Sequence, residues 1–350
     1  MHGALHLADD FLNHILTHSY PEGNFLPFHC AIRNFPLTEL AICGKESVNK
    51  LQNAVKGIID LNPGLNSSRE LDQLIEQAYI SLLASRAADQ FQWRRLYSDA
   101  SVLRSLMDLT SPQALSEEIA MSCVARLDHA LIIAGAPGQG VQTLIHDLIL
   151  RTQAEHLPRK PLHLRSTTRP TRSPSTHSPV NPTSFGTIPR LIDAPSLSVF
   201  RRELLDKPFI LTGFASDWPA MNEHPWHSID YLRSVAGRGR VVPVEVGKDY
   251  RTDDWTQRMM SWDDFLDVLE DPTRSQTILY LAQHSLLSQF RALREDILIP
   301  DYVFTAPKAP ATYPVYRPPN TEEELVLNAW LGPAGTVSPA HTVCPILMPC

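Results

Sequence analysis

A long stretch without a single acidic residue divides this chain in two. Between Glu155 and Asp193 the sequence carries seven prolines, at 158, 161, 170, 174, 179, 182 and 189, set among Ser and Thr. Arg159, Lys160, Arg165, Arg169 and Arg172 fall in the same stretch. Each proline removes a backbone donor and fixes φ, and there is little apolar surface to bury, so neither a helix nor a strand runs through. Residues 158–187 are therefore expected to be a Pro/Ser/Thr/Arg-rich linker. A basic arm for nuclear targeting or for an acidic partner is the other use of such a segment. Whatever lies on each side must fold by its own pattern.

On the N-terminal side the pattern is helical, and residues 1–157 are expected to form an α-helical domain. Ser67 with Glu70 three residues on has the spacing of a capping box. Leu71, Leu74, Ile75, Ala78, Leu82 and Leu83 follow at helical intervals and predict one buried face. Ser111-Pro112 reads as a second helix start, a cap followed by proline at the first helical position. Asn62-Pro63-Gly64 and Pro137-Gly138 mark breaks, so helical hairpins packed on one another are the simplest architecture.

On the C-terminal side the texture changes at Ile188. Phe209–Phe214, Val241–Gly247, Ile278–Leu281 and Glu324–Trp330 are short strand-like runs bounded by turn residues. Helical stretches lie between them, around Ser196–Leu205, Ser228–Ala236 and Ser261–Leu269. The expected class is thus α+β, a helical domain followed by a partial β domain over 188–350.

Composition narrows the function. Apolar residues make up 43% of 350 residues, which is enough for a core. The net charge of −7 excludes broad nucleic-acid binding, and no direct nucleic-acid partner is expected. Five scattered cysteines suit a reducing compartment rather than a disulfide framework. The N-terminus lacks a basic n-region, and no apolar run approaches the ~18 residues of a membrane span. The expectation is a soluble, intracellular protein of nucleus or cytoplasm, with no membrane partner.

Two apparent motifs dissolve on inspection. Gly135 and Gly140 are spaced like the glycines of a phosphate loop, but Val141 and Gln142 stand where Lys and Ser/Thr are needed. A glycine turn between two helices is expected instead. His341, Cys344 and Cys350 match no closed zinc spacing.

The informative segment is Asn328 to Thr342. A strand ends at Trp330, a Gly/Pro turn follows, and a second strand is expected to run into His341. A histidine at a strand end inside a barrel is rigidly held and suits a metal. This segment resembles the stretch leading into the His-x-Asp iron motif of the JmjC-domain oxygenases. Pro189-Arg190-Leu191 with Pro195-Ser196-Leu197, Pro208 to Gly213, Asp217-Trp218-Pro219-Ala220-Met221, Val242 to Gly247, Trp255-Thr256-Gln257, Tyr280 to His284 and Ile299-Pro300-Asp301-Tyr302 resemble further stretches of the same family, in the same order. Together they cover roughly residues 188–342.

The resemblance implies a double-stranded β-helix, a cupin-like fold, that binds Fe(II) and 2-oxoglutarate. Two His and one carboxylate hold the iron and leave open positions for 2-oxoglutarate and oxygen. The activity implied is hydroxylation of a protein side chain, Lys or Arg, or its demethylation where the attacked carbon carries nitrogen. By position, His341 is the first iron ligand. Tyr280 and Ser338 match 2-oxoglutarate contacts, and both are hydroxyl donors suited to a carboxylate. Glu245 and Trp330 match positions lining the substrate pocket.

The resemblance breaks inside the iron motif. Where the family has His-x-Asp, this chain reads His341-Thr342-Val343, and valine cannot ligate iron. The distal His and the basic residue that grips 2-oxoglutarate are not found either. The expectation is a JmjC domain truncated within its iron motif, without catalytic turnover, whose β part does not fold stably alone. The alternative is a non-catalytic protein-interaction scaffold built on the helical half.

Overall fold

The structure, a computed structural model, describes residues 37–59, 64, 66–111, 115–158, 188–205, 207–247, 255–305 and 325–338. Nearly all of the expected linker lies outside these residues. Helices α1 (Gly44–Ile59), α2 (Ser67–Ala84), α3 (Ala87–Leu109), α4 (Glu117–Ala134) and α5 (Val141–His156) follow one another, preceded by a 3-10 segment at Leu37–Cys43.

The helical period carries their packing. Leu71, Leu74, Ala78 and Leu82 of α2 are buried, and the first three join Leu96, Leu103 and Leu106 of α3 and Val124 and Leu127 of α4 in one core. Burying each such side chain is worth roughly 1.5–3 kcal/mol. Leu83 departs from the expected face: it is 72% exposed, at the end of the helix. One expected cap is corrected. Asn66, not Ser67, is the N-cap of α2 and makes no side-chain cap bond, so the Ser67/Glu70 box does not form. The Ser111-Pro112 start runs into residues outside those described. Helix α4 begins at Glu117, with Ser116 Oγ accepting from Ile119 N at 3.2 Å.

The glycine turn is as expected. Gly135 (φ +69°) ends α4 and Gly140 (φ +76°) opens α5, both in the left-handed region that favours glycine. A Cβ on Gly138 would come within 2.1 Å of Arg95 Nη1, so a side chain already covers this loop.

The C-terminal part is built on strands β1 (Arg190–Leu191), β2 (Ile210–Leu211), β3 (Val241–Val246), β4 (Thr256–Ser261), β5 (Leu279–His284) and β6 (Ala329–Leu331). Strands β1 and β2 form a small parallel pair, and the other four form a sheet of order β4-β3-β5-β6 with antiparallel neighbours. Alternation sorts its faces. Val242, Val244, Leu279 and Leu281 point to one face and are buried at 1% exposure or less. Helices α6 (Ile229–Ala236) and α7 (Trp262–Glu270) pack there, started by caps at Ser228 and Ser261. Trp262 lies at the centre, edge-on to Phe290 at 5.1 Å, and donates from Nε1 to Leu232 O at 3.0 Å.

Strand lengths differ from those expected. The run Phe209–Phe214 yields only the two residues of β2, and Glu324–Trp330 yields strand only from Ala329. Residues 332–338 form a turn and irregular backbone, and the end of the expected second strand, at His341, lies outside the described residues. Strand β4 is an addition. Its Thr256, Gln257 and Arg258 are exposed, and it pairs along the whole of β3, so its polar sequence shows no apolar alternation to read.

The helical and β parts meet along a buried polar seam. Asp128 of α4 pairs with Arg240, just before β3, at 0% and 5% side-chain exposure. Gln153 of α5 donates to Ala236 O at 3.1 Å and Arg238 O at 2.7 Å, and at the exposed edge of the seam Arg238 pairs with Glu117. Gly239 (φ +83°) passes so close to α4 that a Cβ would lie 3.1 Å from the Val124 side chain. No described helix is long and apolar enough to cross a membrane.

Candidate functional site

The second face of the sheet carries the candidate residues. Glu245 of β3 is register partner to Tyr280 of β5, so both side chains leave the sheet on one side, away from Val244 and Leu279. Leu331 is paired with Leu281 and packs with it on the core face. Its neighbour Trp330 therefore turns to the Glu245/Tyr280 side, where it is 50% exposed.

A turn brings the fourth residue back. Gly335 has φ +98°, and Thr336 N and Oγ1 both donate to Pro333 O, at 3.3 and 2.6 Å. The chain then passes over Tyr280. A Cβ on Gly332 would lie 2.9 Å from the Tyr280 ring edge and 2.8 Å from the Thr336 side chain, so only glycine fits there without displacement. The outcome is a hydroxyl pair: Tyr280 OH and Ser338 Oγ stand 3.0 Å apart, across 58 residues of sequence. Two adjacent hydroxyls can both donate to one carboxylate, each such charge-assisted bond being worth about 1.5–3 kcal/mol.

The structure thus brings Tyr280 and Ser338 into contact, and sets Glu245 and Trp330 on the same face. His341 lies outside the described residues. Among the described residues no three His, Cys, Asp or Glu side chains gather into a metal cradle. The described residues accordingly fit a carboxylate ligand, and they do not themselves make a metal site.

A second polar centre was not evident from the sequence. Asp296, 1% exposed, accepts from Trp226 Nε1 at 2.8 Å and Tyr231 OH at 2.5 Å, and meets His224 Nδ1 at 2.7 Å. Its backbone O accepts from Ala220 N at 3.0 Å. Burial, then the hydrogen bond to Asp296 and its charge, pushes the Tyr231 hydroxyl well above its ordinary pKa. With three partners satisfying it, Asp296 ties Ala220, His224 and Trp226 to Tyr231 of α6 and to its own segment after β5. No local signal marks it, because its partners are 65 to 72 residues away.

Residues 198–342 match the cupin-like domain family. The chain is 36% identical over 268 residues to lysine-specific demethylase 8 of Danio rerio, covering 71% of this chain and 58% of the relative. It is 40% identical over 183 residues to Jumonji C domain-containing protein 5 of Drosophila melanogaster, covering 51% of this chain and 41% of that protein. To lysine-specific demethylase JMJ30 of Arabidopsis thaliana it is 41% identical over 149 residues, 42% of this chain and 31% of the relative. The chain therefore spans less than two thirds of the length of each of these relatives. The sheet described above falls within the cupin-like match, and these likenesses make the chain a JmjC/cupin-like domain protein related to lysine-specific demethylase 8 and Jumonji C domain-containing protein 5.

Proposed function

We propose that this chain carries the 2-oxoglutarate-binding side of a JmjC-type Fe(II)- and 2-oxoglutarate-dependent protein hydroxylase or demethylase, and that as written it does not turn over. The hydroxyl pair of Tyr280 and Ser338 is the observation that carries this: two donors 3.0 Å apart on one sheet face, at positions matching the family's carboxylate contacts. Tyr280 is held by the β3–β5 register and by the close passage of Gly332, so its hydroxyl is aimed before any ligand arrives. Ser338 is returned to it by the Pro333–Thr336 turn.

Glu245 and Trp330 support a cationic side chain as the substrate. A carboxylate and an aromatic ring on one face suit the ammonium of Lys or the guanidinium of Arg, through charge pairing and through the ring face. When bound, Fe(II) with 2-oxoglutarate supplies the oxidising chemistry of this family. In this chain His341 is the candidate ligand and Val343 occupies the carboxylate position of the motif. A valine offers no lone pair, and this supports the clause on turnover. An intracellular setting, nucleus or cytoplasm, belongs to the same proposal, and the free buried thiols of Cys43 and Cys123 support it.

Val343 also favours a second proposal, a non-catalytic interaction scaffold that keeps the fold and has given up the chemistry. Ligand-observed NMR of the full chain with 2-oxoglutarate separates the two. The oxygenase-derived proposal expects binding that weakens about tenfold or more in Tyr280→Phe, with no succinate released over hours in the presence of Fe(II). Absence of binding leaves the scaffold. Enzyme-like succinate release overturns the clause on turnover.

A further inference from the structure

Asp128 sits along α4 on the helical half, 0% exposed. Its two oxygens are taken up at a single place. Arg240 Nε donates to them at 3.0 and 2.9 Å, Arg240 Nη2 at 2.7 Å, and Val241 N at 2.9 Å. The path does not stop there. Arg240 Nη2 also donates to Gln289 O at 2.9 Å, and Gln289, 3% exposed, donates from Nε2 to Val241 O at 2.8 Å. Gln289 Oε1 meets His284 Nε2 at 2.7 Å.

His284 is the last residue of β5, and β5 is irregular here. The pairing of β5 with β6 shifts between Leu281 and His284, and Gln283 between them holds φ +50°. A residue other than glycine keeps a left-handed backbone only where its surroundings force it. Across the bulge, His284 is register partner to Ala329, the neighbour of Trp330. An unbroken route therefore runs from buried Asp128 through buried Arg240 and Gln289 to the partly buried His284. It reaches both strands that bear Glu245 and Tyr280, and it ends one residue from Trp330.

Stability alone does not call for such a route. A buried ion pair recovers little more than its desolvation cost, and apolar residues of the same volume would pack at least as well. Directional contacts instead fix geometry, and the geometry fixed here is the bulge on which β6 and the turn to Ser338 depend. We propose that Asp128 is a positioning residue for the candidate site: from the helical half, through Arg240, Gln289 and His284, it sets the β5 bulge and so the stance of Trp330 and Ser338 against Tyr280. That this face is a ligand site rests on the function proposed above; the coupling itself does not.

The test uses the full chain labelled with 5-fluorotryptophan, the Trp330 fluorine resonance being assigned from Trp330→Phe. Asp128→Asn removes the charge, and Gln289→Ala cuts the route downstream while leaving the Asp128–Arg240 contacts. Both variants are expected to shift or broaden the Trp330 resonance while that of Trp93, in α3, stays in place. A Trp330 resonance unmoved in either folded variant overturns the proposal, and so does a common shift of all six tryptophans, which marks general loosening. Should Asp128→Asn not yield folded protein, Gln289→Ala decides. In the second arm, 2-oxoglutarate affinity is expected to fall at least fivefold in both variants. An unchanged affinity beside a moved Trp330 overturns the positioning role. If the unmodified chain binds no 2-oxoglutarate, the function proposed above fails and the fluorine arm still judges the coupling.

Discussion

The seam and the open sheet face are both polar, and both are built on β3 and β5, yet opposite rules govern them. At the seam Asp128, Arg240 and Gln289 are each 5% exposed or less, and each polar group named there has a partner within 3.1 Å. On the open face Trp330 is half exposed and the Tyr280–Ser338 pair lies at the surface. Burial makes an unpaired polar group costly, so these three side chains are paired within the chain itself. Exposure removes that demand, so the open face can keep donors for a ligand. A polar residue in this molecule is structural or available according to its burial, not its type.

The largest expected effect tests that contrast directly. Asp128→Ala strands the Arg240 guanidinium in a dry site and should cost about 3–5 kcal/mol in urea unfolding. Trp330→Ala should cost less than about 1 kcal/mol by the same measurement, since half of the ring is already in water. Equal losses would abolish the distinction between the two regions.

The two cores provide the next comparison. Leu127→Ala in the helical core and Leu281→Ala on the buried sheet face should each cost about 2–5 kcal/mol. Both leucines are 0% exposed. Because the seam joins the cores, both variants should unfold in one transition monitored by circular dichroism. Two separate transitions would show that the seam does not couple them.

The third effect is pH dependence at the seam. His146 of α5 is 5% exposed, its Nε2 has no partner, and its ring hydrogen-bonds the Ser288 backbone. Burial first, then the charges of Arg291 and Arg240, lowers its pKa to about 3. The folded chain thus keeps His146 neutral while the unfolded chain takes up a proton below about pH 6.5. Stability should fall as pH falls from about 6.5 toward 3, by up to ~1.4 kcal/mol per pH unit from this group. His129 and His284, also lowered chiefly by burial, act in the same direction. Urea titrations from pH 7 to 5 should show a shallower slope for His146→Gln than for the unmodified chain. An identical slope would remove His146 from the seam's account.

The smallest effect on stability belongs to the open face. Tyr280→Phe removes one hydroxyl contact at the surface and should cost no more than about 1 kcal/mol. A loss of several kcal/mol would make the pair a structural tie of the same kind as the seam.

What was legible in the sequence follows the range of the signal. Leu71, Leu74, Ala78 and Leu82 announced the buried face of α2, since helical period is written within a dozen residues. Strands β3 and β5, and the helices beginning after Ser228 and Ser261, were legible for the same reason. Strand β4 was not, because an exposed edge needs no apolar alternation. The cap expected at Ser67 misled because polar residues next to a helix start compete, and the backbone there makes Asn66 the N-cap. Tyr280, Ser338, Glu245 and Trp330 came from likeness to a family rather than from any pattern in this chain.

By itself the sequence determined the order of a helical half and a β-containing half, the apolar faces of the main helices and strands, and the glycine turn at 135–140. Those depend on side-chain period and on backbone φ, which neighbouring residues specify. Only the tertiary structure decided which carboxylate meets which cation. Asp128 and Arg240 are 112 residues apart, and nothing near either names the other. Asp296 likewise acquired its three donors, and Tyr280 its Ser338, through the path of the chain. A buried charge or an aimed hydroxyl takes its partner from whatever backbone the fold carries past it, and that is a property of topology rather than of local sequence.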